Sequence, residues 1–340
     1  DTLEAVSRVI LFEGTDLDAQ LSRLTTSIPP RFTPQPENAP ALPEDPLLFA
    51  NGYGGFQEQT GDYVIRLAPG DATPAPWCNL LTTGRFGTLA TESGLNMTWC
   101  GNSHLHRLTP WSNDPVCPLP GECLLIAEGD DWFSPTPMPF GQANACRVQH
   151  SPGVTAWHAM GHGLDMLFTA ASMPGHDAGV RLLRLRSLAD RPRRVRVIMA
   201  ARFVLGNGTE EALVHLTKIP GGVVASSPSM AQTGWLCAVE GEAQVRRMAP
   251  AAFWGLTGDA PAFAPAPEDT GTVAALTLLV DLPPQGSATA TFALGAARQA
   301  DDIERALEAI RRQGASAIIR MMRQRWAARL QALTIRTPED

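Results

Sequence analysis

Lysine is almost missing from this chain: Lys218 is the only one, so nearly every cation is an arginine. Charged residues make up 18% of the 340 and the formal net charge is −7. The arginines are scattered and form no basic stripe, which removes the electrostatic footprint that phosphate backbones need and sets nucleic acid aside. Long hydrophobic runs are lacking too. The longest uncharged apolar stretch, Val273 to Val280, is far too short to span a bilayer, and no basic region followed by an apolar segment opens the chain. A soluble piece is expected, although its parent need not be soluble. The six cysteines (Cys78, Cys100, Cys117, Cys123, Cys146, Cys237) include no CxxC pair and sit among apolar or small neighbours, so free thiols are expected rather than a disulfide framework. Neither a GxSxG elbow nor a cysteine supported by a nearby histidine is found. No fixed repeat period is visible.

Turn formers are plentiful instead, with 29 prolines and 30 glycines, and they point to many short strands. Residues 1–24 carry a helical pattern, with Leu3, Val6, Ile10 and then Leu17, Leu21, Leu24 at spacings that share a face. From Ser27 to Pro46 seven prolines replace it, and an extended strap is expected. Between Leu47 and about Ala297 the recurring unit is a β-prone run bounded by Gly, Pro, Asn or Asp. Tyr63–Leu67 before Ala68-Pro69-Gly70-Asp71 is one, and Val195–Met199 after Ala189-Asp190-Arg191-Pro192 is another. The clearest period of two sets Ala288, Ala290, Phe292 and Leu294 against Thr289, Thr291 and Ala293, entered through Pro283-Pro284-Gln285-Gly286. About 250 residues of such runs without crossover helices imply a mainly β fold, a large antiparallel super-sandwich. After Arg298 the period changes. Asp301 and Asp302 mark a helix start, with Ile303, Leu307 and Ile310 on one face; Gly314 interrupts, and Ile318, Met322, Trp326 and Leu330 follow every four residues amid arginines. This second stripe is expected to cover an edge of the sandwich, or else to bridge to another domain. The expected organisation is a helical and Pro-rich lead-in over 1–46, a β domain over 47–297 and linker helices over 298–340.

His158 and His162 in HAMGH stand four apart, but the flanking residues read as strand, glycine turn, strand, which holds them too far apart to chelate. Ala159 also replaces the glutamate of a zincin. No metal site and no cofactor are expected. His104 and His106 read as surface histidines. Acidic residues such as Asp114, Glu122, Glu128, Asp130 and Asp131 are numerous enough for a glycosidase pair, although solvated loop carboxylates are the simpler reading. Leu108 to Pro115 is more informative, because it puts Trp111, Asn113 and Asp114 on one proline-bounded turn. The indole suits the apolar face of a pyranose and the amide and carboxylate suit its hydroxyls, unless Trp111 instead plugs the sandwich.

Several segments together, in order and spacing, resemble glycoside hydrolase family 94, formerly glycosyltransferase family 36. The likeness is greatest to the amino-terminal part of that family and to the phosphorylase-like module of bacterial cyclic β-1,2-glucan synthases. They are Asn51-Gly52-Tyr53-Gly54-Gly55-Phe56, Asp62–Ile65, Thr73–Trp77, Arg85-Phe86-Gly87, Thr91–Gly94, Leu108–Pro115, Pro120–Glu122 and Trp132–Pro137. The resemblance runs from about residue 46 to 335. It implies a super-sandwich with linker helices, followed in the family by an (α/α)6 barrel that carries the general acid and the phosphate site. The chain stops at Asp340 before such a barrel, so no catalytic residue is carried over and the chain is expected to be inactive alone. Two segments depart from the family pattern: Gly101–His106, where a charged Arg-Glu-Asn-like run is usual, and His150–Thr155, where His-Gly-x-Gly-Tyr is usual. The latter loop resembles the one by which family members reach toward an active site, so His150 and Thr155 join Trp111, Asn113 and Asp114 as candidate sugar contacts. The resemblance implies as partners a β-glucan or glucoside, the barrel and a second copy in a homodimer. The functional expectation is a non-catalytic domain supporting glucan binding and assembly, with a stand-alone carbohydrate-binding module as the alternative.

Overall fold

A computed structural model describes residues 42, 44, 46–111, 121–139, 144–207, 213–248 and 271–332. The helical pattern over 1–24, nearly all of the proline-rich strap, Asn113, Asp114 and Cys117 lie outside these. The chain enters through β1 (Leu47–Leu48), β2 (Gly54–Gln57) and β3 (Tyr63–Leu67). A small sheet follows, of β4 (Cys78–Thr82), β5 (Phe86–Thr91) and β6 (Met97–Cys100). Next come β7 (Glu122–Glu128), β8 (Asp131–Phe133), β9 (Cys146–Ser151), β10 (Val154–Gly161), β11 (Leu164–Ser172) and β12 (Ala178–Ser187). After β13 (Arg193–Arg202) the chain forms β14 (His215–Ile219), β15 (Gly222–Ser227), β16 (Met230–Ala238), β17 (Gln244–Met248), β18 (Val273–Leu282) and β19 (Ser287–Ala297). It closes with two helices, α1 (Ala300–Gln313) and α2 (Ala315–Leu330).

An 11-stranded sheet in the order β1-β2-β3-β9-β10-β11-β12-β19-β16-β15-β14 faces a 5-stranded sheet, β17-β18-β13-β7-β8, and the 3-stranded sheet β4-β5-β6. Every pairing is antiparallel. The period of two read in β19 is borne out: Ala290, Phe292 and Leu294 enter the main core together with Leu183 and Leu185 of β12 and Val195, Val197 and Met199 of β13. Each large apolar side chain so buried contributes about 1.5–3 kcal/mol.

On β12 the alternation breaks in an informative way. Val180 and Leu182, which face away from that core, are buried as well, whereas Arg184 and Arg186 further along the same face are exposed. The reason is the helices. α1 turns Ile303, Ala306, Leu307 and Ile310, and α2 turns Ile318 and Met322, onto the outer face of the large sheet beside Val154, Val180, Leu182 and Trp235. They therefore cover half of a face, not an edge as the second stripe suggested. The stripe is also used only in part: Ile318 and Met322 are fully buried, Trp326 half so, and Leu330 is 57% exposed. Asp301 and Asp302 sit in the first turn of α1 rather than at its cap, which is Gln299. Asp302 still does capping work, its carboxylate accepting from the backbone N–H of Arg298 and Gln299 at 2.9 and 3.0 Å.

One buried ion pair sits where the three sheets meet. Arg181 of β12 donates to Glu122 of β7 at 2.8 and 3.1 Å and to Thr88 and Thr98 of the small sheet at 3.1 and 3.3 Å, with both charged side chains wholly shielded from solvent. Charges this deep persist only when paired and hydrogen-bonded. Glu122, one of the carboxylates weighed for glycosidase chemistry, is thus committed to holding the sheets together. Glu128 is bound to Arg193, which holds its carboxyl below the usual range. His158 is tied to Asp165 across the β10–β11 hairpin at 2.8 Å, while His162 stacks on Phe133 at 4.1 Å, so the two histidines serve different neighbours.

Candidate functional site

The register of the first strands lines up one row of side chains. Phe56 pairs with Tyr63, Tyr63 with His150, and His150 with Thr155, across β2, β3, β9 and β10. Antiparallel partners share a face, so the row is continuous. Trp77, just ahead of β4, swings over it with its ring 6.0 Å from Tyr63 and 5.7 Å from Tyr53, both edge to face, and Phe56 meets Tyr63 at 5.0 Å. The result is an aromatic cleft of about 570 Å³, whose walls include Asn51, Phe56, Tyr63, Trp77, Asn79 and His150. Tyr53 and Phe56 leave 37% and 44% of their surface exposed beside it, an unusual expense of ring area on water.

Its polar groups are fixed in place. Asn51 accepts from the backbone N–H of Tyr53 and Gly54 at 3.1 and 3.0 Å, which shapes the loop, and donates to the Tyr63 hydroxyl at 3.1 Å. Asn79 donates to the carbonyls of Ser151 and Val154 and to Thr155 Oγ1 at 2.7, 3.1 and 3.0 Å. His150 Nε2 lies 3.1 Å from the Trp77 carbonyl, which only accepts, so Nε2 carries the proton. Nδ1, 3.1 Å from Thr155 Oγ1, is then the acceptor of that hydroxyl. Burial pushes the His150 pKa down to about 4, and the ring stays neutral with one tautomer. Behind Trp77, the carboxylate of Glu92 receives the Trp77 N–H at 2.7 Å and the Thr73 hydroxyl at 2.6 Å, with burial raising its pKa. Partial burial first, and the Glu92 charge second, push the Cys78 thiol up to about 11.

The expected site residues are distributed as follows. His150 reaches the cleft wall. Thr155 has no exposed surface, so its part is to fix the His150 ring rather than to touch a ligand. Trp111 is half-buried and is not among the cleft residues. Sequence reasoning passed over Tyr53, Phe56, Tyr63 and Trp77 as site residues although it named all four within family-like segments. The signal was the coincidence of aromatics with Asn51 in one such segment and of Trp77 with prolines in another. His104 and His106 are exposed, and the His104 ring meets Arg107 at 3.4 Å. Among the described residues five cysteines are unpaired, with Cys100, Cys123, Cys146 and Cys237 buried.

Eleven antiparallel strands backed by two smaller sheets, with helices on the outer face, define a β-supersandwich. Residues 61–220 match the model described as "Glycosyl hydrolase 94, supersandwich domain". The chain is 30% identical over 164 residues to "Cyclic beta-(1,2)-glucan synthase NdvB" of Rhizobium meliloti (strain 1021); the match takes in 47% of the chain but only 6% of that protein. Among solved structures, a putative kojibiose phosphorylase from human microbiome aligns over 81% of the chain and 38% of its own, with a TM-score of 0.49 at 11% identity. A putative aldose 1-epimerase from Klebsiella pneumoniae aligns over 76% and 96%, with a TM-score of 0.35 at 11% identity. The family resemblance read from the sequence is borne out. No described helix is long and apolar enough to cross a membrane.

Proposed function

We propose that this domain binds a β-linked glucan in the aromatic cleft and serves a larger enzyme as its non-catalytic glucan-holding and assembly part. The carrying observation is the aromatic cleft of Phe56, Tyr63 and Trp77, with Tyr53 against Trp77 at its rim, set beside the amides of Asn51 and Asn79. Pyranose rings offer apolar C–H faces to such rings and hydroxyls to such amides. Relatedness to the glucan synthase makes a β-1,2-glucan the first ligand to test. The division into a lead-in over 1–46, a β domain over 47–297 and linker helices over 298–340 belongs to this reading, as do an (α/α)6 barrel packed on α2, a homodimer and a location on the cytoplasmic side as part of an inner-membrane protein. Trp111, with Asn113 and Asp114, belongs to this reading as a second sugar contact.

Titration calorimetry with linear and cyclic β-1,2-glucans tests the binding. Saturable heat whose affinity falls about five- to tenfold in Tyr53→Ala and in Phe56→Ala supports it, and affinity unchanged by both substitutions moves the site elsewhere. Incubation with β-glucoside and phosphate should release no glucose 1-phosphate, since the aromatic cleft offers no pair of carboxylates placed for acid–base work.

A further inference from the structure

A second cleft, of about 460 Å³, opens where the ends of β12, β16 and β19 meet the start of α1. Its walls include Arg85, His176, Asp177, Trp235, Arg298 and Arg305. Donors dominate. Arg85 pairs only loosely with Asp177, at 3.8 Å. Arg305 is bound to Asp302, whose remaining capacity is spent on the backbone at the helix start. The Arg298 guanidinium has no partner among the described residues. Three guanidiniums against two carboxylates leave one positive charge in excess. His176 registers that field: burial first, and the charge of Arg305 second, hold its pKa below the ordinary value.

The deepest group in the wall is Trp235, 1% exposed, whose Nε1–H has no acceptor. A buried donor left unsatisfied costs free energy, and natural structures keep few of them without a reason.

We propose that this second cleft binds a small oxyanion, a phosphate group being the class that suits it. The donors come from the loop before β5, from β16, from the segment after β19 and from α1, so they approach from several sides. A planar carboxylate satisfies one guanidinium fork, whereas a tetrahedral phosphate offers acceptors in several directions at once. The cleft has room for more than a bare phosphate, so a phosphorylated small molecule is also accommodated.

Calorimetry on the whole chain at constant ionic strength, with inorganic phosphate, acetate and glucose as separate titrants, tests this. Phosphate should bind saturably, acetate more weakly and glucose not at all at this site. Arg298→Ala should weaken phosphate binding at least about tenfold while leaving the melting temperature without phosphate unchanged, because its guanidinium holds nothing. Arg85→Ala provides the second reading should Arg298→Ala fail to fold. Trp235→Phe, which deletes the N–H and keeps an aromatic side chain, should also reduce the phosphate-dependent rise in melting temperature. Tyr53→Ala should leave phosphate binding intact, which separates this site from the glucan cleft. Absence of saturable phosphate binding, acetate binding as tight as phosphate, or equal binding by the wild type and both arginine variants overturns the proposal.

Discussion

Replacing His150 by glutamine removes a titrating ring from the wall of the aromatic cleft while keeping a donor and an acceptor in its place. In the folded chain this imidazole is neutral, with its pKa pushed from the ordinary 6.5 down to about 4, by burial first and against the raising effect of its bond to the Trp77 carbonyl. The unfolded chain therefore binds the proton more readily than the folded one. Stability from the neutral ring is complete above pH 6.5 and drains away as pH falls toward about 4. The difference corresponds to about 3 kcal/mol over that window. Glu92 acts with the opposite sign, since burial raises its pKa and the folded state is relieved as that carboxyl takes its proton. The comparison must accordingly be between wild type and His150→Gln, measured by urea unfolding from pH 8 to pH 4. Wild type should lose about 3 kcal/mol more than the variant across the window, and glucan affinity should fall over the same range as the Trp77 segment comes loose. Equal pH slopes in the two proteins, or an imidazole resonance titrating near the ordinary 6.5, would refute the reasoning.

Tyr53→Ala and Phe56→Ala should each weaken glucan binding about five- to tenfold in calorimetry with little change in melting temperature, because both rings already face solvent. Arg181→Met should cost about 3–5 kcal/mol in chemical denaturation by stranding the Glu122 carboxylate, and adding Glu122→Gln should recover part of it. Gly153→Ala should destabilise by about 1–3 kcal/mol, since Gly153 has φ +75° and a Cβ there would lie 2.5 Å from Trp326. Trp111→Ala separates two roles: lost glucan binding with an unchanged melting temperature marks a sugar contact, and a fall in melting temperature with unchanged binding marks a packing role.

Strand content and the change to helix after Arg298 were legible because both are periodicities, and the segments that carry them are long. What the period could not say was which surface covers which. The stripe Ile318, Met322, Trp326, Leu330 looks uniform along α2, yet the sheet beneath it protects only the first half, and nothing local to the helix encodes that. The site shows the same division. Asn51 to Phe56, Thr73 to Trp77 and Thr91 to Gly94 were recognisable as separate family-like segments, but their meaning lies in Glu92 binding Thr73 and Trp77, and in Phe56 reaching His150 through Tyr63. Those links join residues up to 94 positions apart in sequence, beyond any spacing rule. Glu122 misled for a related reason, because a carboxylate next to a loop looks solvated until the arginine from a distant strand is brought onto it.

The turn between β9 and β10 connects the glucan cleft to the helices. Ser151 and Pro152 line the aromatic cleft on one side and, on the other, a groove shared with Arg323, Trp326 and Leu330 of α2. Gly153 is left without a side chain because the Trp326 indole occupies that space. His150 and Thr155, at the feet of the same hairpin, carry the hydrogen bonds that hold Trp77 over the aromatic row. A close-packed interior transmits a shift of one element to its neighbours rather than absorbing it. Any partner that pulls Trp326 and the exposed Leu330 away from the sheet therefore acts first on Pro152, then on His150, and through the Trp77 carbonyl on the roof of the cleft. The cost that Gly153→Ala imposes and the acid loss at His150 are then two perturbations of one structural path. If they are, the two substitutions should be non-additive in glucan affinity.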